Sequence, residues 1–133
     1  MPNARAAAQT GRTPRAGNLV VAGVSISHPD RVISEAGRIT KGELAEYYGA
    51  VAPLILPGIE QRPISVLRCT SGFDGECFYQ RHLGHPGHPG KRLGAHVHPF
   101  KFTHQGKRFE YFYVDDEKGL LELIQMGGVE IHP

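Results

Sequence analysis

Apolar positions recur with a helical period most clearly after Thr40-Lys41-Gly42-Glu43, where Leu44, Tyr47, Tyr48 and Val51 follow at i, i+3, i+4 and i+7. Thr40 with Glu43 three residues later is a capping box, which fixes the helix start. Pro53 and Pro57-Gly58 are expected to end this helix and start a connection. Near the end of the chain, Asp115-Asp116 precedes a shorter stretch in which Leu120, Leu123 and Ile124 share a face. Gly127-Gly128 stops that helix, and Val129 and Ile131 then alternate with Glu130 and His132 as in a strand.

Elsewhere the period is two. Leu19–Ser27 is β-rich and predicts one or two strands, and Pro63–Arg68 alternates like another. Phe100 and Phe102, then Phe109, Tyr111 and Tyr113, flank the polar turn His104-Gln105-Gly106-Lys107, which predicts a hairpin. Its aromatic positions are expected to form much of the core rather than a base-stacking platform. The tandem Gly-His-Pro of residues 82–90 is a loop. Two main helices among short strands and a hairpin make the fold class α+β.

With 133 residues the chain is long enough for one domain with a real core. Residues 1–18 carry Arg5, Arg12 and Arg15, no acid and few bulky apolar groups, and are expected to form a disordered basic tail ahead of a domain over 19–133. The tail lacks the apolar stretch of a secretory signal, and no run approaches a membrane span. A formal charge of +2 permits nucleic acid without demanding it, so a DNA site must come from local clustering. Cys69 and Cys77 lie in no zinc or redox spacing, and two free thiols in a reducing cytosol are expected.

Three constellations can carry chemistry. At the start of the Thr40 helix, unpaired amides, the helix dipole and Lys41 favour a phosphate, with Arg31 ten residues earlier able to fold back onto the same spot. The plain alternative is a capped helix with solvated cations. Phe78-Tyr79 on an extended segment point to opposite faces, so one can enter the core while the other stacks on a base, with Arg81 near the backbone. Phe78 or Tyr79 as simple core is the alternative. His132 is the penultimate residue, and a lone histidine there says little by itself. Asp115-Asp116 suits capping better than metal binding, because adjacent side chains diverge. His82, His85, His88, His96 and His98 are separated by Pro and Gly and lack rigid geometry for a metal, so no metal site is expected; a small soluble metal- or partner-binding protein using this loop is the alternative function.

Gly72–His82, together with the ending Val129-Glu130-Ile131-His132-Pro133, resembles the polymerase domain of bacterial DNA ligase D, of the archaeo-eukaryotic primase-polymerase superfamily. The same pattern is visible in Ser27–Val32, Ile39–Tyr48 and Gln61–Cys69. The resemblance runs from about Gly17 to Pro133 and covers the front part of such a domain, whose metal-binding Asp-x-Asp motif follows shortly after the Glu-Ile-His-Pro segment. It implies an N-terminal portion of the primase-polymerase fold, truncated before that motif, serving DNA repair by non-homologous end joining. Arg31 and Lys41 then match the basic positions that bind a DNA 5′-phosphate at a gap or break, and Phe78 and Tyr79, with Arg81 beside them, match the template contact. Arg68 matches an arginine on the nucleotide-site side, although a structural pairing with Glu76 is equally open. His132 matches an auxiliary histidine of the nucleotide site. Between Val32 and Thr40 the family usually has an aromatic and a proline, where this chain has Ile33–Arg38, so the loop shape can differ and Arg38 becomes a third candidate contact. The complete nucleotidyltransferase domain implies Mg or Mn and nucleoside triphosphates; this chain implies no cofactor of its own and no polymerase activity alone. DNA ends, Ku and a DNA ligase are the implied partners, in the bacterial cytoplasm at the nucleoid, and apolar surface left by truncation allows a homo-oligomer.

Overall fold

The computed structural model describes residues 10–12, 17–84 and 93–133. The described residues form an α+β arrangement of two helices and four small sheets. Strands β1 (Thr10–Arg12), β2 (Leu19–Val21) and β3 (Val24–Ile26) form one antiparallel sheet, and β4 (Val32–Ser34) pairs with β5 (Ile39–Thr40) in another. Helix α1 (Lys41–Ile59) follows directly. Strands β6 (Ser65–Arg68) and β7 (Phe78–Gln80) join the final strand β11 (Gly128–His132) in the order β11-β6-β7. Strands β8 (His82–Gly84), β9 (His98–His104) and β10 (Lys107–Tyr113) form the fourth sheet, and α2 (Glu117–Gln125) connects it to β11. The chain segment Thr10–Arg12, read as part of a disordered tail, is thus a strand; the rest of residues 1–16 lies outside the described residues.

Both helix starts follow their sequence signals. The Thr40 hydroxyl accepts from the Glu43 amide at 3.1 Å while Glu43 Oε1 accepts from the Thr40 amide at 2.9 Å, and Asp116 accepts from the Gly119 amide at 2.8 Å. Leu120, Leu123 and Ile124 are buried as their spacing predicts, and Gly127 takes the positive φ of +96° that turns the chain into β11. Tyr48 fastens α1 to that strand: its buried hydroxyl donates to the Val129 carbonyl at 2.9 Å.

Two further expectations fail. Helix α1 does not stop at Pro53 but runs through Pro53 and Pro57 to Ile59. Both prolines face solvent, where water can serve the carbonyls they leave unpaired, while Ala52, Ile55, Leu56 and Ile59 on the other side pack into the core. Tertiary packing outweighs the local penalty.

The aromatic period of the hairpin marks its outer face rather than its core face. The register pairs Phe102 with Phe109 and Phe100 with Tyr111, and these side chains stack mainly on one another, with ring centroids 4.9–5.5 Å apart for Phe102 against Tyr111 and Phe109. Phe112, on the opposite face, is fully buried with Val114 above α2, whereas Phe100 is 42 % exposed. A single buried phenylalanine anchors the hairpin. Phe112→Ala should therefore cost about 3–5 kcal/mol, whereas Phe100→Ala should cost less than about 1 kcal/mol, measured by urea unfolding. Equal losses would return the outer aromatics to the core.

Candidate DNA-end site

The loop between β3 and β4 folds back across the start of α1, and main-chain bonds hold it there. The Lys41 amide donates to the Arg31 carbonyl at 2.9 Å and the Gly42 amide to the Pro29 carbonyl at 2.8 Å. With the Glu43 amide bonded to Thr40, the first three amides of the helix are occupied, which removes them as the phosphate cradle expected from the sequence. The sequence signal for an N-cap was sound, but the chain itself takes the donors.

What remains is a pair of cations. Arg31 and Lys41 line a pocket of about 210 Å³ whose wall is apolar at Ile33, Leu44, Ile124 and Val129 and which closes around Thr70 and Met126–Gly128. Arg31 donates to the Thr70 carbonyl at 3.2 Å. The Lys41 ammonium donates to the Ser27 hydroxyl at 3.4 Å, and among the described residues no carboxylate lies within ion-pair distance of it. Burial, reinforced by the Arg31 charge, lowers the Lys41 pKa from 10.5 to about 8. Arg38 does not join them; it pairs with Glu35 at 3.4 Å in the exposed β4–β5 turn.

One wall of the pocket is set by a bridge that sequence reasoning missed. Cys69 and Cys77 form a disulfide, with Cα atoms 4.3 Å apart, instead of two free thiols. The reason lies in the register: Arg68 pairs with Phe78, which makes residues 69 and 77 the next facing pair of the β6–β7 ladder. Closing so short a loop stabilises the fold by roughly 2–3 kcal/mol in the chain-entropy account. Cys69 itself lines the pocket beside Thr70.

Immediately after the bridge, Phe78 and Tyr79 point to opposite faces, as expected, yet neither enters the core: they are 46 % and 65 % exposed. Arg68 lies over the Phe78 ring at 5.3 Å, donates to the Met126 carbonyl at 2.9 Å and to Gln80 at 2.8 Å, and so does not pair with Glu76. Tyr79 meets His132 edge to face at 5.7 Å, and His132 contacts Glu130 at 2.9 Å. Arg81 is exposed just past β7. The β11-β6-β7 sheet therefore connects the two-cation pocket, at Cys69 and Gly128-Val129, to the exposed Tyr79 and His132.

No group of three carboxylate, imidazole or thiol side chains converges among the described residues. Asp116 is spent on its cap, Asp115 contacts His98 at 3.3 Å and Glu122 holds His96 at 2.7 Å. His82 packs on Tyr111, while His85 and His88 lie outside the described residues. These residues do not fit a pair of divalent ions.

The family sequence model described as LigD, primase-polymerase domain, matches residues 40–133. The multifunctional non-homologous end joining protein LigD of Pseudomonas aeruginosa is 33% identical over 118 residues, which are 88% of this chain and 13% of that protein. The LigD protein of Mycolicibacterium smegmatis is 27% identical over 109 residues, 82% of this chain and 14% of that protein. Among solved structures, the polymerase domain of Mycobacterium tuberculosis ligase D in complex with DNA superposes with a TM-score of 0.70 at 24% identity, over 81% of this chain and 36% of that one. The chain thus spans a small fraction of these relatives and shares its fold with the polymerase domain.

Because the Lys41 pKa is lower in the folded than in the unfolded chain, its protonation opposes folding below pH 8, and that penalty fades as pH rises from about 8 to 10.5. Lys41→Met should raise stability at pH 7, and the difference from wild type should shrink by pH 10. A constant difference in urea unfolding across that range would mean that Lys41 is not desolvated.

Proposed function

This chain belongs to the LigD primase-polymerase family, and we propose that it forms the DNA-end-binding portion of a ligase D-type repair polymerase in bacterial non-homologous end joining. The observation that carries this reading is the confinement of Arg31 and Lys41 in one apolar-walled pocket, with no carboxylate among the described residues to neutralise Lys41. A desolvated ammonium beside a second, exposed cation opposes folding and is best explained by a ligand that matches both. A 5′-phosphate does so: it brings up to two negative charges and several acceptor oxygens, and the low local dielectric strengthens each contact. Arg31 gives the fork that holds two oxygens and Lys41 a point charge.

From the seated phosphate, the strand end runs along the β11-β6-β7 sheet. Exposed Phe78 and Tyr79 then offer ring faces to template bases, with Arg81 beside the backbone. Arg68 and His132 flank the side where an incoming nucleotide would lie. Mg or Mn would supply charge stabilisation for nucleotide transfer in the complete domain; this chain's own part is to bind and orient the DNA end. Ku and a DNA ligase are the proposed partners at breaks in the nucleoid, and among the described residues no helix is long and apolar enough to cross a membrane. Apolar side chains on the outer face of the hairpin leave self-association open to measurement by sedimentation.

Gapped or recessed DNA with a 5′-phosphate should bind about 10-fold more tightly than the same DNA with a 5′-hydroxyl at fixed salt, a difference of about 1.4 kcal/mol. Lys41→Ala or Arg31→Ala should remove most of that preference and flatten the salt dependence. Equal binding of both ends by the wild-type protein would remove the physical basis of the reading.

Supplied with Mn²⁺, nucleoside triphosphates and a primed template, the chain alone should add no nucleotides, since the described carboxylates do not converge. Template-dependent extension by a pure sample would overturn the binding-portion assignment.

A further inference from the structure

The Lys41 ammonium is not placed by its own helix. Its one described side-chain partner is the Ser27 hydroxyl, and Ser27 is fixed by Gln125 at the end of α2. The Gln125 side-chain Oε1 accepts from the Ser27 main-chain amide at 2.9 Å, and its Nε2 donates to the Ser27 hydroxyl at 2.9 Å. That hydroxyl oxygen therefore accepts from both Gln125 and Lys41. The contact joins residues 98 positions apart and is partly buried, and Gln125 also lines the two-cation pocket.

We propose that Gln125 is a positioning residue of the DNA-end site, holding Ser27 so that its hydroxyl keeps the Lys41 ammonium at the pocket. This rests on the 5′-phosphate reading above. A four-carbon stem carries its charge through many rotamers, and a fixed acceptor selects the one that meets a phosphate beside Arg31. The charged neighbours of Lys41 are Arg31, from the loop before β4, and Glu43, on its own helix and bonded back to Thr40. The residues that α2, β11 and the β6–β7 loop place on the pocket are uncharged, with Cys69 bridged. Gln125 thus acts through geometry, not through charge. Removing the Ser27 acceptor also removes a hydrogen bond to the charged form of Lys41, so the amine should lose its proton at lower pH.

The test measures the ratio of affinities for 5′-phosphorylated and 5′-hydroxyl recessed DNA in the full chain, from pH 6.5 to 9.5. Gln125→Leu should lower that ratio about 3- to 10-fold at pH 7 and shift the pH at which the preference is half lost downward. In a Lys41→Met background, Gln125→Leu should change the ratio less than about 2-fold, because the two residues act in series. Ser27→Ala cuts the same link at its other end and should reproduce the loss, which keeps the test decisive if Gln125→Leu does not fold. A wild-type preference that survives both Gln125→Leu and Ser27→Ala, or losses that add fully to Lys41→Met, overturns the positioning role alone. A wild-type protein with no preference for the phosphate overturns the end-recognition reading and this inference together.

Discussion

Two positive charges held in a pocket with an apolar wall are the constraint on which the rest of this structure turns. Arg31 repels Lys41, burial penalises the ammonium, and among the described residues no acid relieves either effect at Lys41. The arrangement persists because the surrounding chain fixes it from four directions. Main-chain bonds from Lys41 and Gly42 pin the β3–β4 loop to the helix start. The Thr70 carbonyl takes Arg31 at the edge of the disulfide-closed loop. Ser27, held by Gln125 at the end of α2, accepts from the ammonium. Tyr48 ties α1 to β11, which carries Gly128 and Val129 into the same pocket. A desolvated ammonium held beside a second cation marks a candidate binding site.

How much of this was legible in the chain depends on the range of the interaction. Local signals read correctly: Thr40 and Glu43 form the capping box, Asp116 caps α2, Gly127 turns the chain, and Arg31 and Lys41 meet. Interactions set by tertiary packing did not. The prolines of α1 are tolerated only because Ala52, Leu56 and Ile59 on the opposite side are packed, which no local rule reveals. The hairpin shows the limit of periodicity more sharply. Alternation identifies two faces of a sheet but not which one is covered, and here the single Phe112 outweighs a row of aromatics. The Cys69–Cys77 bridge was legible in principle, since pairing Arg68 with Phe78 places the two cysteines opposite one another, but only once the strand register is known. The role of Gln125 had no sequence signal, because its partner is 98 residues away.

The β11-β6-β7 sheet turns these local facts into a functional surface. Its core side carries Val66 into the main cluster, while its ends present the bridged loop at the pocket and Tyr79 with His132 in solvent. A rigid sheet between a charged pocket and exposed rings suits a DNA end, whose phosphate and bases make different chemical demands at different points. The first three helix amides are occupied within the chain, so the proposed phosphate recognition falls to side chains, whose cations are adjustable where main-chain donors are not.

The most direct measurement of the central claim is the titration of Lys41 itself, followed by the NMR shift of its side-chain carbon next to the amine, with and without a short oligonucleotide. A phosphate that seats in the pocket binds the charged amine more tightly than the neutral one, so it must raise the pKa from its starting point near 8. With a 5′-phosphorylated oligonucleotide the midpoint should rise by about one unit or more, equivalent to about 1.4 kcal/mol of preference for the ammonium, and with the 5′-hydroxyl form it should stay in place. An unchanged midpoint in both, or the same rise in both, would contradict a pocket built for a terminal phosphate.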